Sequence, residues 1–328
     1  MAIAESEGLN APDGAPAGAT ISRGVVEIDG RRLSYLSAGG TTGGQTILLI
    51  HGSGVSARYW VNQLRELGGV LRVLAVDLPG HRESDPNEAA SVEEYAQAVA
   101  SALDALRTGP VLTAGHSLGG AVAIALAARR PDAVRGLVLL SSCAQMPKTD
   151  GAGERFLAAL PGPLRKLFFF SMARKILFAP GAPAQAVSLG MYELRACRPE
   201  TILKDVRAAK NMDLTEPAAR LDVPTLILCG SRNTLTPPAL SERLASLIAR
   251  SRLRIIEGAG HMLLLEVSAS VNQEILAFAG AVAVPAVAVP AVGDRRAHLL
   301  AQRVFEWVHR TGGQVLSALR THRRGTER

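Results

Sequence analysis

The sequence predicts an α/β fold built on a mostly parallel sheet, and three observations lead there. From residue 46 onward, short aliphatic runs alternate with longer stretches of helical periodicity. The runs are nearly continuous in apolar residues, the pattern of strands buried on both faces of a parallel sheet. Finally, Gly115-His116-Ser117-Leu118-Gly119 ends one such run and opens a small-residue helical stretch, 120–130, so a serine stands at a sharp strand-to-helix turn.

Taken in order, residues 1–22 are rich in Ala, Gly and Pro, lack the basic and apolar regions of a signal peptide, and are expected to form a disordered lead-in. Residues 25–28 and 32–36 flank Asp29-Gly30, a strong two-residue hairpin signal, so the sheet should open with an antiparallel pair. Runs at 46–50, 71–76, 111–114, 137–140, 225–229 and 253–256 supply the parallel strands, which makes eight in all. The core is therefore assigned to 23–143 and 222–280. Between them, residues 144–221 break the strand rhythm with helix-like sequence punctuated by Pro161, Pro163, Pro180, Pro183 and Pro199, and are read as a helical cap over the carboxyl edge of the sheet.

Within the cap, residues 164–178 hold four of the seven phenylalanines. Packing inside the cap is the favoured role; Phe168 and Phe169 as an apolar wall for substrate is the sharper one. Residues 281–294 repeat Ala-Val-Ala-Val-Pro and read as an extended linker. In 295–328, Leu299, Leu300, Val304, Phe305 and Val308 recur at helical spacing among Arg295, Arg296, Arg303 and Arg310, a basic amphipathic helix. Such a tail docks on its own domain, or serves peripheral membrane attachment, an acidic partner or self-association.

Composition excludes several classes. The formal charge of +7 is concentrated in the tail, where eight arginines stand against Glu306 and Glu327, so the body is close to neutral and no nucleic-acid partner is expected. Cys143, Cys197 and Cys229 are an odd, widely spaced set that fits free thiols and a cytoplasmic location better than a disulfide framework. No apolar stretch is long enough to span a bilayer. Neither a phosphate-cradling loop nor a dinucleotide fingerprint occurs, and the histidines lack metal-site spacing, so no cofactor and no metal are expected.

Four separated motifs then stand in order, each at a predicted strand end. They are Ile50-His51-Gly52-Ser53-Gly54, Asp77-Leu78-Pro79-Gly80-His81 with Ser84-Asp85, the turn at 115–120, and Gly258-Ala259-Gly260-His261. Over about residues 25–280 the chain resembles the α/β-hydrolase superfamily, in its capped esterase- or lactonase-like branch. The resemblance implies an eight-stranded, mostly parallel sheet flanked by helices, with a helical cap; the basic tail, read from its own periodicity, adds a C-terminal helical extension. It implies Ser117 as nucleophile, His261 as its base, and the backbone N–H groups of Ser53 and Leu118 as oxyanion donors. His51, Gly52 and His116 would line the substrate crevice, although structural roles are favoured for the two rings.

Two positions depart from the family. One is Arg82, a bulky cation where the loop after the fourth strand often has glycine; it is read as a surface salt-bridge residue or a contact for a carboxylate-bearing substrate. The other is the acid position. Where the acid normally stands, in Gly230-Ser231-Arg232-Asn233, the carboxylate is an amide. Asn233 can orient the imidazole through its carbonyl oxygen but supplies no charge to the imidazolium. The protein is then a weakened or specialised enzyme, one whose acid comes from another loop (Asp205, Asp213, Glu216 and Glu257 are candidates), or a deliberately inactivated one. The leading expectation is a serine hydrolase that cleaves a small apolar carboxylic ester or lactone through an acyl-enzyme. A C–C bond hydrolase or lyase using the same Ser/His pair, and a non-catalytic ligand-binding protein on the same scaffold, are the alternatives.

Overall fold

A computed structural model describes residues 19–40, 45–86, 91–148 and 161–283; most of the lead-in, residues 284–294 of the linker and the whole tail, 295–328, lie outside the described residues. Eight strands form one sheet: β1 (Ile21–Ile28), β2 (Arg31–Ala38), β3 (Thr46–Ile50), β4 (Arg72–Val76), β5 (Val111–His116), β6 (Val134–Leu140), β7 (Thr225–Gly230) and β8 (Ser251–Ile256). Their order is β1-β2-β4-β3-β5-β6-β7-β8. The β1–β2 and β2–β4 pairs are antiparallel and the rest parallel. The hairpin is as tight as Asp29-Gly30 predicts: Ile28 pairs with Arg31, and both turn residues have positive φ, 50° and 74°. β1 begins two residues before the predicted core boundary at 23.

Alternate residues of each central strand enter two separate cores. Leu48, Ile50, Leu74, Val76, Leu137 and Leu139 face α2 (Val92–Ala105), α3 (Leu118–Arg129) and α8 (Pro238–Leu247). Ile47, Leu49, Val73, Ala75, Val138 and Leu140 face α1 (Val61–Leu67), α9 (Leu263–Glu266) and α10 (Ser268–Ala283). Period-two alternation between two apolar layers is why these strands read as unbroken hydrophobic runs. The start of α2 is fixed by a capping box, in which Ser91 Oγ accepts from Glu94 N at 3.2 Å and Glu94 Oε2 accepts from Ser91 N at 3.0 Å. Because α10 runs to Ala283, the first three residues predicted as linker are helical instead; Ala-Val-Ala is compatible with a helix until Pro285 approaches.

The insertion contributes α4 (Gly162–Leu177), α5 (Ala184–Ala196), α6 (Pro199–Asn211) and α7 (Thr215–Ala219). At its base, Gln145 and Asp213 form an isolated antiparallel bridge, and Leu214 N donates to Ala144 O at 2.8 Å. Its inner surface rests on the strand-end loops: Met262 N donates to Leu177 O at 3.0 Å and Thr201 Oγ1 to Gly80 O at 3.0 Å. Among the described residues no helix is long and apolar enough to cross a membrane.

Candidate active site

The strand order reverses between β3 and β5, which lie side by side with Ile50 opposite Gly115. The 51–54 turn after β3 and Ser117 after β5 therefore emerge together at the carboxyl edge, where such reversals open a crevice. A side chain at Gly52 would put its Cβ 3.2 Å from Ser117 Cβ, so the two loops are in contact.

Ser117 has φ 53° and ψ −119°, a left-handed conformation that costs a non-glycine residue on the order of 1–3 kcal/mol. Surrounding bonds hold it there. Ser117 N donates to Leu140 O at 2.9 Å, and its carbonyl accepts from Gly120 N and Ser142 Oγ, each at 2.9 Å. The turn closes only because Gly119 has no side chain: a Cβ there would lie 2.2 Å from Ile50 O and 2.5 Å from His51 O. Although Ser117 is the N-cap of α3, its hydroxyl makes no capping bond. Leu118 N, at the first position of α3, and Ser53 N donate to no group among the described residues.

His261 lies in the loop after β8 and is 2% exposed. Its Nδ1 is 3.2 Å from Asn233 Oδ1 and 3.2 Å from Thr236 Oγ1. The amide orientation of Asn233 is settled by a backbone donor, since Thr236 N reaches the same Oδ1 at 3.0 Å and could not face an NH₂ group. Asn233 Nδ2 donates to Thr236 Oγ1 at 2.8 Å, and Thr236 Oγ1 passes its own proton to Ser141 O at 2.9 Å. Both neighbours of His261 Nδ1 are thereby acceptors. The ring carries its proton on Nδ1, leaving the Nε2 lone pair free. Burial, and then the charge His116 would carry, push the His261 pKa well below 6.5, so the ring is neutral.

Other histidines are committed to structure. His51 is fully buried; Leu78 N donates to its Nε2 at 3.0 Å, so its Nδ1–H donates to Gly52 O at 2.8 Å. It ties the 51–54 turn to the loop after β4, and burial lowers its pKa to about 3. His116, 2% exposed, donates from Nε2 to His261 O at 2.9 Å, and its ring centroid lies 4.8 Å from that of His261; burial lowers its pKa to about 4. With their polar atoms spent on protein groups, both rings hold the crevice walls rather than offer a substrate hydrogen bond.

Among the described residues no carboxylate reaches His261 Nδ1. Asp205 is buried against His81 and Tyr95, Asp213 bonds Gln145 and Thr215, Glu216 pairs with Arg220, and Glu257 is exposed. Phe168 is 38% exposed on α4, and Phe169 packs edge-on against Phe170 within the cap, 5.3 Å between centroids. The apolar side chains over the turn are Leu194 and Ile202, which a Cβ on Gly54 would meet at 2.8 and 3.5 Å. Nothing in their spacing distinguishes these two from other cap leucines and isoleucines. Thr236 did carry a local signal, since Asn233-Thr234-Leu235-Thr236 before Pro237 is the composition of a side-chain-bonded turn. Among the described residues no group of side chains could hold a metal ion.

Comparison with known proteins agrees with this fold. The model of a family described as the alpha/beta hydrolase family matches residues 47–274. A pimeloyl-[acyl-carrier protein] methyl ester esterase of Neisseria meningitidis serogroup C is 32% identical over 224 residues, covering 66% of this chain and 86% of that protein. The solved structure of a thermophilic esterase aligns with a TM-score of 0.70 at 31% identity, over 81% of this chain and all of the other. A thermophilic esterase from Thermogutta terrifontis aligns with a TM-score of 0.69 at 26% identity, over 79% of this chain and 97% of its own.

Proposed function

This chain belongs to the alpha/beta hydrolase family, and on that premise we propose that it is a serine hydrolase that cleaves a small carboxylic ester or lactone with an apolar moiety. The observation that carries the reading is the tautomer of His261: with its Nδ1–H held by Asn233 Oδ1, the Nε2 lone pair is available to take a proton. Ser117 Oγ attacks the ester carbonyl carbon as His261 Nε2 accepts the hydroxyl proton. The carbonyl oxygen, now an anion, accepts from Ser53 N–H and Leu118 N–H; one such donor contributes about 3 kcal/mol to the barrier reduction. Collapse of the intermediate breaks the bond to the alcohol, which leaves with the proton from His261. Water, deprotonated by the same nitrogen, then releases the acid and restores Ser117.

An apolar substrate is supported by Leu194 and Ile202 over the 51–54 turn, and an ester by relatives named as esterases. Asn233 keeps the geometry of the usual acid and omits its charge, so the imidazolium formed during acyl transfer is stabilised less, and turnover is slow. Replacing the acid by an amide costs about 10⁴ in turnover in serine proteases, though there the tautomer is also wrong; here it is right, and the deficit should be smaller.

The test is hydrolysis of p-nitrophenyl esters, methyl esters and lactones by the protein, Asn233→Asp and Ser117→Ala. Asn233→Asp should raise kcat about 10- to 10³-fold, and Ser117→Ala should abolish turnover. Absence of turnover in both the parent and Asn233→Asp would overturn the hydrolase reading and favour a ligand-binding role for the scaffold.

A further inference from the structure

Two cap carboxylates lie at the base of the 51–54 turn, each joined to a cation of the core. Asp205, on α6 and fully buried, accepts from Gly54 N at 3.0 Å, from Tyr95 OH at 2.8 Å and from His81 Nε2 at 3.1 Å. His81 Nδ1 faces Leu78 O at 3.2 Å, so both ring nitrogens meet acceptors and the ring is a cation. Glu193, on α5 and 2% exposed, accepts from Ser56 Oγ and from Arg82 Nη2. Arg82 Nε also donates to Ser56 Oγ at 3.3 Å. Consecutive cations of the loop after β4 thus pair with consecutive helices of the cap, and each pair reaches the turn: one at Gly54 N, next to Ser53, the other at Ser56, which N-caps the following helical turn.

A surface ion pair would carry no such meaning, because exposed pairs contribute little. These carboxylates are buried, and a buried carboxylate that loses its cation is left as an uncompensated charge, so each pair holds its two elements together. The group fixed is the Gly52-Ser53-Gly54 segment, which carries Ser53 N, one of the two candidate oxyanion donors and without an acceptor among the described residues.

We propose that Asp205 and Glu193 are positioning residues through which the seating of the cap sets the geometry of the oxyanion turn, so that the anion-binding N–H of Ser53 is in place only when the cap is docked. The proposal rests on the hydrolase reading for its kinetic consequence, but not for its structural one. Mispositioning a donor by a fraction of an ångström costs transition-state stabilisation more than substrate binding.

The full chain, Asp205→Asn and Glu193→Gln are compared by amide hydrogen–deuterium exchange over residues 52–56 and by steady-state hydrolysis of a p-nitrophenyl ester. In Asp205→Asn the one carbonyl oxygen can still face Gly54 N and His81 Nε2, which share Oδ2 in the parent, but the charge that holds His81 as a cation is gone and an NH₂ group stands where Oδ1 accepted from Tyr95 OH, so the clamp is loosened. Exchange at 52–56 should accelerate about tenfold or more, and kcat should fall about 10- to 100-fold while KM moves less than about threefold. Folded variants whose 52–56 amides exchange at the parent rate overturn the proposal, as does faster exchange with kcat unchanged. If Asp205→Asn fails to fold because His81 is left as an unpaired buried cation, Glu193→Gln decides, since Arg82 is 24% exposed and can turn to water. If the parent hydrolyses no ester, the hydrolase reading fails by itself and the exchange result alone judges the clamp.

Discussion

At the scale of single residues, the site turns on which atom of Asn233 faces His261. Position 233 is legible in the sequence as a missing acid, but its consequence is not, because a side-chain amide has two faces. Thr236 N resolves it, and that contact exists only after the loop beyond β7 has folded. Burial, and then the charge His116 would carry, keep the imidazole neutral, so in the parent the acid limb of kcat/KM should lie well below pH 6.5. A carboxylate at 233 favours the protonated ring, so Asn233→Asp should move that limb upward as it raises the plateau. A limb at the same pH in both proteins would show that position 233 does not sense the charge on His261. Asp205 illustrates the opposite outcome. In sequence it is one more charge on a strongly charged helix, and nothing in the spacing of α6 marks it as fully buried beside a different histidine.

Among elements, strands were easiest to read and cap contacts hardest. Strands between two apolar layers have continuous aliphatic sequence, and Asp29-Gly30 has one common use, so β1 to β8 follow from local pattern. The faces of α4, α5 and α6 do not, because which side of a cap helix meets the core depends on loops far away in sequence; hence Phe168 points outward while Leu194 and Ile202 meet the turn. The elbow between β5 and α3 combines local and distant causes. Alanine is ordinarily better than glycine inside a helix by about 1 kcal/mol. At Gly119 the order should reverse, because the added methyl would lie 2.2 Å from the Ile50 carbonyl, which is backbone and cannot rotate away. Gly119→Ala should therefore destabilise the protein by about 1–3 kcal/mol or more, read as a lower urea midpoint at unchanged m-value. A midpoint at or above the parent's would mean that the strand end yields, and that the glycine is not needed for the close approach.

For the whole molecule, the buried histidines make stability a function of pH from both directions. His51, His116 and His261 are neutral when folded, with pKa values of about 3, about 4 and well below 6.5, and they take up protons on unfolding below pH 6.5. Their contribution is complete above the unfolded value and is lost as pH falls. His81 has the opposite sign: burial disfavours its charge, but the bonds to Asp205 and Cys197 outweigh this and raise its pKa to about 10. That contribution is complete below the unfolded value and is lost as pH rises toward the folded one. The urea midpoint should be highest near neutral pH and fall toward about pH 5 roughly three times as steeply as toward about pH 8, three groups acting against one. A flat profile over that range would show that these rings are not buried in the charge states their hydrogen bonds require. The bridge between Gln145 and Asp213 carries a different implication. Since the chain departs from the core and rejoins it one hydrogen bond apart, the intervening stretch is a cassette: foreign sequence could be spliced there without disturbing a single strand pairing. Any graft would nevertheless inherit an obligation under the proposed clamp, because a donor lacking two acids at the right height should give a well-folded protein whose serine turns over more slowly.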